Sequence, residues 1–215
     1  MKSEIHLQLS IINCQSSMIL GITGGIGSGK SYVSSLLRRE FGIPVYDCDK
    51  EAKQLTVADE GIHEKLIGLV GPEVFKGEEL NRKCLADYLF SDPEHTSLVN
   101  GIIHPAVLED FKLWAKKQEA EVVALESAIL FESGFNAYVD KVLFVDAPEE
   151  VRLRRAMIRD TATEEQIKAR MKMQQPELHR AQADFVIDNS TNDDTRLLEQ
   201  LTEIVQMTVN SKTTK

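Results

Sequence analysis

The chain is poor in the residues that build extracellular scaffolds and membrane anchors. It holds three cysteines in 215 residues, Cys14, Cys48 and Cys84, widely spaced and without a CxxC pair. An odd, scattered set argues against a disulfide framework or a zinc site and points to a reducing, cytoplasmic compartment. No apolar run approaches the ~20 residues that cross a bilayer, so no membrane partner is expected. Basic residues are outnumbered, 25 Lys and Arg against 34 Asp and Glu, for a net charge of -9. That balance argues against a nucleic-acid partner, although a local arginine cluster can still serve an anionic ligand. There is no internal repeat and no low-complexity segment. What remains is ordinary globular material, 42% hydrophobic and 27% charged, of a length that suits one α/β domain with a small inserted subdomain.

The first seventeen residues carry Glu4 and lack a long apolar core, so they read poorly as a signal peptide. Met18 opens the first strand pattern. Residues 1–17 therefore read as an extension outside the core, either a disordered tail or the product of an upstream start codon. The core is expected over 18–215.

Ile19 to Thr23 predicts a buried strand, Lys30 to Phe41 a helix closed by Gly42, and Ile43 to Asp47 a second strand whose Pro44 favours an edge or a strand start. This strand–loop–helix–strand order belongs to parallel sheets with crossover helices. Residues from about Glu60 to Lys117 look mostly helical, with no convincing strand, and are broken at Asp92-Pro93 and His104-Pro105. Strands are expected at Glu121–Glu126, Lys141–Asp146 and Phe185–Asp188. Helices are expected at Pro148–Arg159, at Thr163–Gln175 with a Thr163/Gln166 capping box, and along the final stripe of Leu197, Leu198, Leu201, Ile204, Val205 and Val209.

Gly24-Gly25-Ile26-Gly27-Ser28-Gly29-Lys30-Ser31 fits G-x-x-x-x-G-K-[ST]. Glycines let successive backbone N–H groups turn inward toward phosphate oxygens, and the following helix N-terminus adds its positive dipole. Lys30 would reach the β- and γ-phosphates, and the Ser31 hydroxyl would ligate Mg²⁺. A chance match in a chain of this length has a probability on the order of 1%. A GTPase should add an N-K-x-D motif and an ABC-type ATPase a serine-glycine-glycine signature; neither is present. A small kinase needs only an acceptor pocket, a carboxylate near the acceptor hydroxyl and cations on the moving phosphoryl group.

Asp47 and Asp49 follow the second strand, where open α/β sheets bind ligands. Either can serve an acceptor hydroxyl, and Asp49 can equally be the N-cap of a helix over Lys50–Thr56; spacing does not choose. Arg152, Arg155 and Arg159 share one helix face, and Arg170 can add to it. Such arginines either pair with Glu149, Glu150 and Asp160 as a solvated face or contact phosphate. With a phosphate loop in the chain, Arg155 and Arg159 are read as phosphate contacts and 159–175 as a lid that excludes water. His104 sits at the expected helix break. Glu126 and Glu132 follow the third strand, as magnesium or acceptor contacts or as loop carboxylates.

Taken in order, Ile22-Thr23-Gly24 through Ser31, Asp47-Cys48-Asp49, Ile103-His104-Pro105, Ile129-Leu130-Phe131-Glu132, Arg155-x-x-x-Arg159-Asp160, Arg170-x-x-x-Gln174 and Ala183-Asp184-x-Val186-Ile187-Asp188-Asn189-Ser190 resemble the motifs of dephospho-CoA kinases, over roughly Met18 to Val209. The resemblance implies a P-loop kinase-type parallel five-stranded sheet wrapped by helices, with a helical substrate insert over about 60–117 and a helical lid. It implies ATP-dependent phosphorylation of the ribose 3′-hydroxyl of dephospho-CoA. It implies catalysis by Lys30, Asp49 and Arg155, with Asp49 rather than Asp47 serving the acceptor. ATP contacts fall to Gly25, Ile26, Gly27, Ser28, Gly29, Lys30, Ser31, Tyr32, Arg159 and Asn189, and acceptor contacts to Asp49, His104, Leu130 and Glu132. A monomer or weak oligomer is expected. The chain departs from the family pattern at Ala128, where proline is usual, and at Tyr32, where threonine is common and would place a small hydroxyl near the α-phosphate. Residues 1–17 have no family counterpart.

Overall fold

The computed structural model describes residues 17–191 and 193–212. The expected extension, apart from Ser17, lies outside the described residues, as does Cys14. The core is a five-stranded parallel sheet of β1 (Met18–Thr23), β2 (Val45–Asp47), β5 (Val122–Glu126), β6 (Lys141–Asp146) and β7 (Phe185–Asp188), in the order β2-β5-β1-β6-β7. β2 lies on the edge, in keeping with Pro44. The central strands are apolar on both faces because helices cover both. On one face α1 (Lys30–Phe41) and α9 (Asp194–Lys212) pack Leu36, Leu37, Leu197 and Leu201 against Leu20, Ile22, Leu143 and Val145. On the other, Val107 and Phe111 of α5 (Pro93–Lys116) meet Tyr46, Leu125 and Val142.

Between β2 and β5 the chain forms α2 (Cys48–Ala58), α3 (Glu60–Val70), a hairpin of β3 (Phe75–Lys76) and β4 (Glu79–Leu80), α4 (Arg82–Ser91) and α5. Ile62, Leu66, Val74, Phe75 and Val99 give this stretch a small core of its own. The hairpin corrects the expectation of no strand in this stretch: two-residue strands are too short to show a period, and Gly77 turns between them at φ 65°. Asp92-Pro93 does break the run, with Asp92 capping α5 through the Glu94 N–H at 2.8 Å. His104-Pro105 does not, because α5 runs on through Pro105 for 24 residues in all.

After β6 come α6 (Glu149–Asp160), α7 (Glu164–Lys172) and α8 (Pro176–Gln182). The Thr163 capping box forms as expected. The helix it opens stops at Lys172, and Pro176 starts α8 at its N-terminus. Ala156, Ile167 and Met171 bind α6 to α7 in a separate cluster. Among the described residues, no helix is long and apolar enough to cross a membrane.

Leu143 is fully buried in β6, between Ile22 and Phe185 of the neighbouring strands. Leu143→Ala should lower unfolding free energy by about 2–5 kcal/mol, read as a fall in urea midpoint at constant slope. A loss below ~1 kcal/mol would mean that this face is not closely packed.

Candidate active site

The carboxyl ends of β1, β2 and β5 open on one cavity of about 300 Å³, lined by Gly27, Lys30, Ser31, Asp49, Glu126, Arg155, Arg159 and Arg170 among others. This is where the strands of an open parallel sheet direct their ligands.

The phosphate loop joins β1 to α1, and its glycines are demanded by the packing. Gly27 has φ 76°, and a Cβ there would lie 2.0 Å from the Arg152 carbonyl oxygen on α6. Gly29 caps α1 in the left-handed region at φ 95°, with Asn189 against it. Asn189 is buried and donates through Nδ2 to the Ser28 carbonyl at 2.7 Å, and its own carbonyl accepts from Arg155 Nη1 at 2.8 Å. The end of β7 thus braces the loop. A further brace is Gln174, whose Oε1 accepts the Ile26 N–H at 2.8 Å.

Lys30 folds beneath the loop and donates to the carbonyls of Gly24 at 2.8 Å and Gly25 at 3.3 Å. Desolvation lowers its pKa from the usual lysine range; Glu126 and Asp49 partly restore it. Ser31 Oγ donates to Glu126 Oε1 at 2.8 Å, which sets a hydroxyl beside a buried carboxylate. Two oxygen donors so placed suit a small hard cation that keeps most of its waters.

The structure separates the two aspartates. Asp47 ends β2 and is the N-cap of α2, accepting the Lys50 N–H at 3.0 Å. Asp49, for which spacing left the capping role open, lies inside the first turn of α2, where its carboxylate lines the cavity. Partial desolvation, then the Asp47 charge, raise its pKa above the usual carboxylate range, against the pull of Lys30, Lys53 and Arg159.

The arginines of α6 divide their work. Arg152 is buried and donates through Nε to the Ala147 carbonyl at 3.1 Å. Arg155 turns to Asn189. Arg159 pairs with Asp160 at 2.6 Å, and Arg170 of α7 joins it at 2.7 Å. Arg159 and then Arg170 pull the Asp160 carboxyl down to about 2. Asp160 thus holds two guanidinium groups at the cavity edge.

Gly29, Tyr32, Arg155, Asn189 and Asp194 line an adjoining cavity of about 410 Å³. Tyr32, partly exposed, donates its hydroxyl to Asp194 Oδ1 at 2.6 Å across it. His104 and Glu132 line a different cavity, on α5 and the loop after β5. Burial lowers the His104 pKa, so its imidazole is neutral near pH 7. Leu130 is fully buried in the core beneath that loop, so its side chain offers no surface to a ligand. Residues outside the expected set are drawn in as well. Glu126 was legible as a magnesium or acceptor contact or as a loop carboxylate, with nothing local to choose, because nothing local says that β5 inserts between β1 and β2. Gln174 and Asp194 carry no local signal for their contacts across the fold.

Comparison with known proteins bears on the family and the fold. The family model described as dephospho-CoA kinase matches residues 18–194. A dephospho-CoA kinase of Bacteroides fragilis (strain YCH46) is 46% identical over 188 residues, covering 86% of this chain and 90% of that protein. The crystal structure of TT1252 from Thermus thermophilus superposes with a TM-score of 0.79 at 37% identity, over 90% of this chain and 98% of that one. Dephospho-CoA kinase from Campylobacter jejuni has the same fold, with a TM-score of 0.62 at 24% identity over 90% and 98% of the two chains.

The lowered Lys30 pKa has a measurable consequence. Polyphosphate beside the ammonium favours its charged form and raises that pKa. At alkaline pH, between the free and bound values, nucleotide binding should take up as much as one proton (order of magnitude, one group titrating). Calorimetry in buffers of different ionisation enthalpy reads this directly. Proton release, or no proton exchange at any alkaline pH, would contradict the desolvated ammonium.

Proposed function

The chain belongs to the dephospho-CoA kinase family, and on that premise we propose that it transfers the γ-phosphoryl group of ATP to the ribose 3′-hydroxyl of dephospho-CoA, giving CoA and ADP, the last step of CoA biosynthesis. The observation that carries the reading is that Asp49 and Lys30, from separate strands' ends, line one cavity with Arg155 and Arg159.

The loop N–H groups and Lys30 hold the β- and γ-phosphates. The nucleoside lies over Gly29 and Tyr32, in the cavity that Arg155, Asn189 and Asp194 share. Asp49 accepts the proton of the acceptor hydroxyl as the hydroxyl oxygen bonds to the γ-phosphorus. The bond from that phosphorus to the β,γ-bridging oxygen breaks, and its electron pair leaves on ADP. A raised carboxylate pKa suits a base, since proton transfer works best when base and medium are matched. Lys30, Arg155 and Arg159 offset the negative charge on the moving phosphoryl group and on ADP, in a reaction where positioning and electrostatics do most of the work. Ser31 Oγ and, through water, Glu126 would hold Mg²⁺, which would supply positive charge against the phosphates.

Residues 159–175 act as a lid, and Asp160 keeps Arg159 and Arg170 aimed at the cavity before it closes. The segment 60–117, with its own small core, takes the acceptor. The protein works in the cytoplasm as a monomer or weak oligomer, on small molecules rather than on nucleic acid or membrane.

The test is an acceptor panel with ATP and Mg²⁺ throughout. ADP should form with dephospho-CoA and stay at the acceptor-free background with nucleosides, nucleotides and sugars. Turnover of one of those instead assigns another small-molecule kinase activity. ATP binding without turnover of any acceptor makes the chain a nucleotide-binding module.

A further inference from the structure

Helix α5 carries a pair of features that its own packing does not explain. Pro105 lies in its interior and has no N–H, so the Gly101 carbonyl lacks the i+4 donor that a helix normally supplies. Gly101 is itself a glycine in a helix interior, where it is destabilising relative to alanine. A Cβ added there would meet no atom within 4 Å, so no neighbouring protein segment demands a glycine. Both residues face a cavity of about 570 Å³, whose wall also includes Ser97, Asn100 and His104 of α5 and Glu132 of the loop after β5.

The lining has a definite chemistry. No lysine or arginine contributes to it, so it is not built for phosphate. Besides the Glu132 carboxylate, which can only accept, a backbone carbonyl, three hydroxyls, a carboxamide and a neutral imidazole offer mixed donors and acceptors. This is the complement of a chain of secondary amides. The cavity is also near the chemistry: Ala128 lines the catalytic cavity and Glu132 lines this one. Four residues of chain span at most ~14 Å, so a single ligand can reach both.

Dephospho-CoA has the same two-part build. One end is an adenosine diphosphate bearing the acceptor hydroxyl, and the other is the amide-bearing pantetheine arm. We propose that the α5 cavity binds this arm, with Gly101 as the specificity-determining position: its carbonyl accepts an amide N–H or hydroxyl of the arm, and its missing side chain leaves the arm its space. Ser97, Asn100 and His104 complete the polar contacts. The inference rests on the kinase reading above and names which part of the acceptor this surface reads.

Gly101→Leu is the direct test. The new side chain projects where no protein atom stands and replaces a poor helix former by a good one, so the fold and its thermal midpoint are kept. KM for dephospho-CoA should rise at least about tenfold, or ~1.4 kcal/mol, while KM for ATP and kcat at saturation stay near the parent's. Gly101→Ala should give a smaller rise. As a second measurement on the unaltered protein, dephospho-CoA should slow hydrogen exchange across residues 96–104, and AMP, which lacks the arm, should not. An unchanged KM for dephospho-CoA in Gly101→Leu overturns the proposal, as does exchange that both ligands or neither ligand slows, while the parent's turnover of dephospho-CoA upholds the kinase reading. A parent that phosphorylates only some other acceptor overturns that reading and this inference with it.

Discussion

The site is organised around the Lys30 ammonium, a charge drawn under the phosphate loop and held by the carbonyls of Gly24 and Gly25. A desolvated cation is costly unless opposite charge lies near. Here Glu126 and Asp49 supply it, from the end of β5 and the first turn of α2. Both depend on β5 lying between β1 and β2, so the strand order of the sheet is also what makes the lysine tolerable. The loop that surrounds Lys30 is fixed in turn by contacts that leave no room for side chains, with Gly27 on the Arg152 backbone and Gly29 on Asn189.

Much of this was legible in the sequence because it is local. The phosphate loop, the helix from Lys30 to Phe41, the strand at Lys141–Asp146 and the Thr163 capping box all follow from spacing of a few residues, and each forms where the pattern put it. The family motifs also singled out Asp49, whose carboxylate lines the cavity. Contacts between distant segments were not legible. The Ser31–Glu126 and Ile26–Gln174 bonds join residues 95 and 148 positions apart. Their geometry comes from sheet order and from the way α7 and α8 fold back on the loop. Pro105 misled for a physical reason: proline is a poor helix residue on average, but α5 is held along its length by packing on the sheet and on α2 to α4, and that outweighs the loss of one hydrogen bond. The Asp47/Asp49 ambiguity had a similar origin, since helices begin within a residue or so of where a cap is guessed. Moving the start of α2 to Cys48 passes the capping role to Asp47.

An acidic chain that binds polyanions must concentrate its few cations. The shared helix face of Arg152, Arg155 and Arg159 is where this happens, yet the three do different things. Arg152 supports the turn before α6 and packs under the loop, Arg155 ties β7 to the nucleotide cavity, and Arg159 stands at the cavity edge with Arg170, both on Asp160. The ion pairing expected of a solvated face is present at Asp160, while Arg155, Arg159 and Arg170 also line the cavity proposed for the phosphates. The acceptor side follows the opposite rule. The cavity on α5 has no lysine or arginine, and apart from Glu132 its lining is backbone and neutral side chains, in keeping with the uncharged arm proposed for it.

On the proposed mechanism Asp49 performs acid–base work, while its neighbour Asp47 is a helix cap. Rates of Asp49→Asn and Asp47→Asn, with ATP affinity measured alongside, test it most directly. Asn caps a helix about as well as Asp, so Asp47→Asn should keep kcat within a few-fold of the parent. Asp49→Asn keeps the shape and loses the base, so its kcat should fall by roughly 100-fold or more with ATP affinity unchanged. Near-parental turnover in Asp49→Asn, or an equal loss in both variants, would contradict the assignment.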